Sequence, residues 1–162
     1  MTTFLAITVG IPGCGKSTFV NNRIDGRAEA KREFVILSTD SIREEIAGDM
    51  IDQSMNPNVF EKLYERVRSH LSNDMSVVVD ATNLRPDYRS KLYAIAQDCK
   101  AIPYAYRFES SADLQLCMKR NLERNDRSAP VPDDVVKRFH GLFLEHCRVV
   151  DLESEGWKVT QV

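Results

Sequence analysis

The chain has 162 residues, of which 43% are hydrophobic, and it carries a net charge of −2 at pH 7. This length is enough for one well-buried domain and short for two, so we expect a single domain over residues 1–162. The weakly acidic balance excludes the global positive field that drives strong non-specific binding to nucleic acid. Any contact with nucleic acid must therefore be local.

The cysteines and the apolar runs indicate the compartment. The four cysteines form no C-x-x-C pair and no metal-ligand spacing, a pattern typical of reduced thiols in a cytosolic protein. No leader pattern is present, and no apolar run approaches the roughly 18 residues of a membrane-spanning helix. We expect a cytoplasmic protein without membrane contact.

Apolar runs alternate along the chain with stretches of helical periodicity. The runs predict strands at residues 4–9, 34–39, 75–79, 102–108 and 157–160. Helices are predicted behind residue 17, over 58–72, from Pro86, from a cap at Ser111 and after Pro132. This alternation predicts an α/β fold of three layers, with a mainly parallel sheet and helices on both faces.

Two segments add detail to this architecture. Phe60 and Tyr64 accompany the apolar stripe of the 58–72 helix, and we interpret both rings as part of the core. Residues 124–132 are polar, contain two prolines and interrupt two helices. Because sites in parallel sheets lie beyond the carboxyl ends of the strands, we predict that residues 124–132 form a short lid over those ends.

Residues 10–17 read G-I-P-G-C-G-K-S, match G-x-x-x-x-G-K-[ST] and follow directly on the first predicted strand. In this context the motif is a phosphate-binding loop, whose backbone N–H groups and following helix surround a polyphosphate. Lys16 is expected to reach the β- and γ-phosphates, and Ser17 to offer its hydroxyl to Mg²⁺. The predicted ligands are therefore ATP and Mg²⁺. The predicted nucleotide-binding residues of the loop are Gly13, Cys14, Gly15, Lys16, Ser17 and Thr18.

A carboxylate follows the second predicted strand. Asp40 opens D-S-I-R, and Arg43 lies three residues later on the same helix face. A kinase needs a carboxylate near the acceptor, because the attacking hydroxyl becomes acidic as its bond to phosphorus forms. Asp40 is the candidate base, and Arg43 can hold an acceptor phosphate or orient Asp40. Asp40 could instead act as the cap of the helix.

Another carboxylate ends the third predicted strand. Asp80 resembles a strand-terminal acid of the Walker B type, which would hold Mg²⁺ through its water shell, although an aspartate here could also start a turn. Thr82 and Asn83 add polar groups at the same edge. Arg85 and Arg89 could reach an acceptor phosphate, although exposed helical arginines are usually solvated.

Arg120 and Arg124 lie four residues apart, where a predicted helix enters the lid. An arginine at this point can close over the γ-phosphate and neutralise charge in the transition state, so both are candidate nucleotide-binding residues and Arg124 a catalytic one. The alternative is a solvated arginine face paired with Glu123 and Asp126.

The motifs together narrow the possible classes of phosphate-loop protein. A GTPase switch is disfavoured because no D-x-x-G follows a strand and no N-K-x-D is present. The set T-V-G-I-P-G-C-G-K-S-T, S-T-D-S-I-R, V-V-D-A-T-N-L-R-P-D-Y-R and K-R-N-x-x-R resembles the kinase domain of bacteriophage polynucleotide kinases, from about residue 5 to residue 144.

This resemblance implies a P-loop kinase fold and an ATP-dependent transfer of phosphate to the 5′-hydroxyl end of DNA or RNA. If a phage encodes the protein, the expected compartment is the host cytoplasm. It implies that Lys16 and Ser17 bind phosphate and Mg²⁺, that Asp40 is the general base, that Arg43 contacts the acceptor phosphate and that Arg124 is the lid arginine. Removal of 3′-phosphates is not predicted, because the chain has no room for a phosphatase domain. The alternatives are a kinase for a small metabolite or modified base, and an ATP-binding module without transfer chemistry.

Overall fold

The computed structural model describes residues 2–24, 34–48, 56–125 and 129–162. Five strands form one parallel sheet in the order β2-β3-β1-β4-β5. The strands are β1 (Phe4–Val9), β2 (Phe34–Ser38), β3 (Ser76–Asp80), β4 (Ile102–Arg107) and β5 (Lys158–Gln161). The predicted α/β fold with a parallel sheet is confirmed, including the last strand.

Helices surround the sheet. They are α1 (Lys16–Phe19), α2 (Thr39–Ala47), α3 (Asn56–Ser72), α4 (Pro86–Asp98), α5 (Leu114–Leu122), α6 (Asp133–His146) and α7 (Val149–Ser154). A π-helical segment, Val20–Ile24, continues α1, and a 3₁₀ turn, Glu109–Ala112, precedes α5. The sequence did not predict this turn or α7. Within the described ranges, no helix is both long and apolar enough to cross a membrane.

Burial follows the predicted patterns. Val77, Val78 and Val79 of β3 are completely buried, as expected for a strand that is covered on both faces. The stripe of α3 is also buried, with Val59 and Leu63 at 0% exposure. Helix α3 packs against β3, and this packing holds the carboxyl end of β3 in place.

The topology brings four segments to one place. Strand β1 lies between β3 and β4, and the strand order reverses at this point, so a crevice opens beyond the carboxyl end of β1. The phosphate-binding loop leaves β1 into this crevice. Ser38 at the end of β2 pairs in register with Asp80 at the end of β3. Asp40 therefore lies two residues beyond the partner of Asp80.

The predicted lid is described only in part, because residues 126–128 lie outside the described ranges. Its far end is fixed to α5 by one side chain. Asn121, which is completely buried, donates from Nδ2 to the carbonyl of Val131 (2.7 Å) and accepts at Oδ1 from the Val131 N–H (3.2 Å). The asparagine of K-R-N-x-x-R thus has a structural role that the sequence did not reveal.

Candidate active site

The phosphate-binding loop requires glycine where it packs on α5. Gly13 has φ of +83°, and a Cβ there would lie 2.2 Å from the carbonyl oxygen of Cys117. The loop is also tied to the sheet, because the Gly10 N–H donates to the carbonyl of Thr82 (3.1 Å). The loop therefore has a fixed position relative to the polar residues that follow β3.

The 3₁₀ turn before α5 supports the loop from the other side. Ser111 Oγ accepts from the Ile11 N–H (3.2 Å), and Ser110 Oγ donates to the Cys14 carbonyl (2.9 Å). The prediction that Ser111 caps the next helix is wrong, because Asp113 accepts from the Leu116 N–H and caps α5. A serine followed two residues later by an aspartate offers two equivalent candidate caps, and only the fold distinguishes them.

Ser111→Ala is expected to lower the free energy of unfolding by about 1–3 kcal/mol, because it leaves the buried Ile11 N–H without an acceptor. Affinity for the nucleotide should fall with it, since the loop loses a support. Urea unfolding and nucleotide titration measure the two effects. Ser154→Ala is the matched control, because Ser154 is exposed and its hydroxyl bonds only to its own helix. Equal stabilities of the two variants would contradict this role for Ser111.

The cation and the hydroxyl of the loop lie at the mouth of the crevice. Lys16 Nζ donates to the carbonyl of Ile11 (2.9 Å), so the lysine folds over its own loop. Ser17 Oγ donates to Asp80 Oδ2 (2.8 Å). The structure thus joins the two predicted metal-binding side chains, which the sequence separates by 63 residues.

The Ser17–Asp80 pair fits Mg²⁺. Both groups offer hard oxygen atoms, and no cluster of three or more His, Cys, Asp or Glu side chains that could hold a metal occurs in the described part of the chain. Mg²⁺ usually keeps several waters and takes one or two protein oxygens together with substrate phosphates. A site with one carboxylate and one hydroxyl next to a phosphate-binding loop has this composition.

The second strand end supplies an ion pair. Arg43 donates from a terminal nitrogen to Asp40 Oδ1 (2.8 Å), and the side chain of Arg43 is 6% exposed against 33% for Asp40. Asp40 does not cap α2, because Ser38 Oγ accepts from the Ser41 N–H in that role. The capping alternative is therefore wrong. Asp40 remains a partly exposed carboxylate in the first turn, oriented by a nearly buried arginine.

These groups line one cleft with a volume of about 620 Å³. Lys16 and Ser17 of the phosphate-binding loop line it together with Asp80 and Arg124, and Asp40 and Arg43 line the same cleft. The cleft continues past the end of β3 along residues 81–88 to α6. Its size is in the range of small-molecule sites in proteins.

Of the predicted acceptor residues, Thr82, Asn83 and Arg85 line this cleft. Asn83 is 2% exposed, has φ of +46° and donates from Nδ2 to the carbonyl of Thr8 (2.8 Å). This hydrogen bond holds the backbone around Asn83, which we call the cleft floor, against β1. Arg85 is exposed and forms a two-point ion pair with Asp87 (3.1 and 2.9 Å).

Arg89 does not contribute to the cleft, which contradicts the prediction. Its side chain is completely buried, and it donates to both carboxylate oxygens of Glu155 (2.8 and 2.6 Å) and to the carbonyls of Asn83 and His146 (2.9 Å each). Burial lowers the pKa of Arg89, but the hydrogen bonds to Glu155 more than compensate, so its pKa lies above the ordinary value. Arg89 joins the cleft floor to α6 and to the residues behind α7.

The two candidate lid arginines separate. Arg124 follows α5 and lines the cleft. It also lines a second, smaller pocket together with Ser17, Asp40 and Asp80. Arg120 is exposed on α5 and does not line the cleft. Thr18 is also exposed, on the first turn after the loop. The structure therefore brings Arg124, and not Arg120, into the cleft.

Comparisons with known proteins identify the family of this chain. A family model described as an AAA domain matches residues 5–146. The L-seryl-tRNA(Sec) kinase of Methanococcus maripaludis is 32% identical over 139 residues, which are 86% of this chain and 52% of that protein. The chain thus spans about half the length of this curated relative.

Solved structures show the same fold. A chain of the Pnkp1/Rnl/Hen1 RNA repair complex matches 89% of this chain and 45% of its own length, with a TM-score of 0.68 and 20% identity. The APS kinase CysC of Mycobacterium tuberculosis, in complex with AMPPNP and APS, matches 88% of this chain and 98% of its own length, with a TM-score of 0.62 and 14% identity. The chain therefore belongs to the AAA domain family and has the fold of the P-loop kinases.

Proposed function

We propose that the protein is an ATP-dependent phosphotransferase that transfers the γ-phosphate of ATP to the 5′-hydroxyl end of DNA or RNA. The observation that carries this proposal is the shared cleft of the Ser17–Asp80 pair and the Asp40–Arg43 pair. A nucleotide-binding module without transfer chemistry would need only the first pair. A second carboxylate held in the same cleft fits an acceptor hydroxyl.

The chemistry follows from the positions of the side chains. Asp40 takes the proton of the acceptor hydroxyl as the new O–P bond forms, and the bond between the γ-phosphorus and the β–γ bridging oxygen breaks to release ADP. Lys16 and Arg124 neutralise charge on the transferred group. Mg²⁺, when bound beside Ser17 and Asp80, would supply further positive charge to the phosphates.

Arg43 orients Asp40 and, in this proposal, contacts the phosphate that follows the acceptor nucleotide. The same arrangement would serve another hydroxyl. The 32% identity to an L-seryl-tRNA(Sec) kinase favours, as a second candidate, the hydroxyl of serine linked to tRNA.

The test is transfer of label from γ-labelled ATP in the presence of Mg²⁺. The acceptors are RNA and DNA oligonucleotides with a 5′-hydroxyl, the same oligonucleotides with a 5′-phosphate, seryl-tRNA, and small hydroxyl compounds such as sugars and nucleosides. The proposal expects label on the 5′-hydroxyl oligonucleotides only, and none after chelation of Mg²⁺. Label on seryl-tRNA or on a small compound, with none on the oligonucleotides, would overturn it in favour of that acceptor.

Arg43→Ala is expected to raise the KM for the oligonucleotide about 10- to 100-fold, because a charged hydrogen bond contributes about 1.5–3 kcal/mol. The KM for ATP should change little. Steady-state kinetics with each substrate varied in turn separates the two. Arg68→Ala is the control, since Arg68 pairs with Asp98 in an exposed bridge outside the cleft. A loss confined to ATP affinity would contradict the assignment of Arg43 to the acceptor.

A further inference from the structure

The cleft has an aromatic wall that the transfer chemistry does not use. The rings of Phe60 and Tyr88 stack with centroids 4.0 Å apart and planes at 25°. The guanidinium carbon of Arg85 lies 4.8 Å from the centroid of the Tyr88 ring. Phe60, Tyr88 and Arg85 all line the cleft. The wall therefore consists of three flat groups that pack on one another, with Tyr88 in contact with both Phe60 and Arg85.

Contacts within the protein hold the groups of this wall together. Asp87 holds the Arg85 guanidinium through two hydrogen bonds, at 3.1 and 2.9 Å. Phe60 is half-buried on α3, and Tyr88 is half-buried on the first turn of α4. The sequence interpretation placed Phe60 in the core together with Tyr64, but only Phe60 reaches the cleft. A wall that is ordered in advance loses little conformational entropy on binding.

Helix α6 adds apolar side chains to the lining. Phe139 and Leu142 of α6 line the same cleft, and both are half-buried. We call the part of the cleft that these two side chains share with the aromatic wall the slot. The groups that face the acceptor hydroxyl in the proposed function, Asp40 and Arg43, also line it. A ligand in the slot would thus carry a flat apolar part beside a hydroxyl and a phosphate. A terminal nucleotide has this composition.

We propose that this slot, which is lined by Phe60, Tyr88, Arg85, Phe139 and Leu142, binds the unpaired base of the nucleotide that carries the acceptor 5′-hydroxyl. The inference rests on the proposed function and deepens it. Aromatic rings and arginine planes stack on any of the bases. We therefore expect the slot to require a base but not to distinguish one base from another. Small hydroxyl acceptors without a ring would leave it unfilled.

The test varies the base and the protein together. Two oligonucleotides are compared, one intact and one with an abasic 5′-terminal nucleotide, as acceptors for the wild-type protein and for Tyr88→Ala. Stacking predicts a loss of about 5- to 150-fold in kcat/KM when the 5′ base is removed or when Tyr88 is replaced by alanine. The two changes should not add, because each removes the same contact.

Control variants separate stacking from folding. Tyr88→Phe keeps the ring and should retain wild-type preference for the intact end. Tyr104→Ala removes a tyrosine that packs on Phe4 and does not line the cleft, and should leave the preference unchanged. An oligonucleotide that is abasic at its 3′ end should behave as the intact one. Preference for a 3′-terminal base would overturn the 5′ assignment.

Binding without transfer distinguishes failure of the slot from failure of the proposed function. Fluorescence anisotropy with the same labelled oligonucleotides measures affinity in the absence of ATP. If no acceptor is phosphorylated but the intact 5′ end binds more tightly than the abasic one, and only with Tyr88 present, the slot stands and the proposed function falls. Equal affinity for both ends overturns the slot, whatever the transfer assay shows.

Discussion

Asp40→Asn is expected to lower transfer to the acceptor hydroxyl by about 10²- to 10⁴-fold, the range that a positioned general base contributes. Asparagine has nearly the shape of aspartate and can still accept a hydrogen bond from Arg43, which now lies 2.8 Å from the carboxylate. It cannot take the proton of the hydroxyl. Because Asp40 serves the acceptor and the loop serves the nucleotide, affinity for ATP should remain nearly unchanged.

The matched control is Asp98→Asn, since Asp98 also pairs with an arginine, Arg68, at 2.9 Å but lies outside the cleft. Single-turnover transfer and a separate ATP titration measure the two quantities. Ordinary turnover by Asp40→Asn would show that Asp40 is not the general base, and its ion pair with Arg43 would then have a structural role. The capping role is already excluded, because Ser38 holds that position.

The fold was predictable where the sequence signal is local and continuous. The run Val77–Val79 is apolar throughout and is buried on both faces of the sheet, and the stripe of α3 repeats every fourth residue. Helix α7 has only six residues, fewer than two full turns, so its periodicity cannot be recognised, and the side chain of Val150 remains exposed. It is held by a buried Leu152, a tertiary contact that the pattern does not show.

The grouping of acidic residues in the candidate site was predictable from the strand ends. In a parallel sheet the carboxyl ends of neighbouring strands meet, so an acid at the end of each strand predicts a shared site. The pairing of Ser38 with Asp80 and the hydrogen bond from Ser17 to Asp80 agree with this argument. Ser111 and Asn121 were not assigned to the loop and the lid, because each acts through a backbone group that only the fold brings near.

Arg85 and Arg89 show that local sequence patterns do not predict every contact of the site. Both arginines lie at the start of α4, four residues apart, and by sequence both were candidates for the acceptor. Arg85 is exposed and lines the cleft, whereas Arg89 is completely buried. Arg89 is buried because it pairs with Glu155, which lies 66 residues away in the chain. No local pattern contains that contact.

Arg89→Met is therefore expected to lower the free energy of unfolding by about 3 kcal/mol, the lower end of the range for breaking a buried ion pair. Methionine fills much of the space but leaves the carbonyls of Asn83 and His146 and the Glu155 carboxylate without their donor. The Glu155 side chain keeps 24% exposure, so water can solvate part of its charge, which limits the loss. Urea unfolding measures the change.

Two further variants test whether the broken Arg89–Glu155 pair causes the loss of stability. Arg85→Met breaks an exposed ion pair, with side chains 55% and 54% exposed, and should cost at most about 1 kcal/mol. Arg89→Met combined with Glu155→Gln removes the uncompensated charge, and should recover part of the stability lost in Arg89→Met. Equal stability of Arg89→Met and Arg85→Met would contradict the structural role. Because Arg89 donates to the carbonyl of Asn83 at the cleft floor, its loss should also impair acceptor binding in the protein that remains folded.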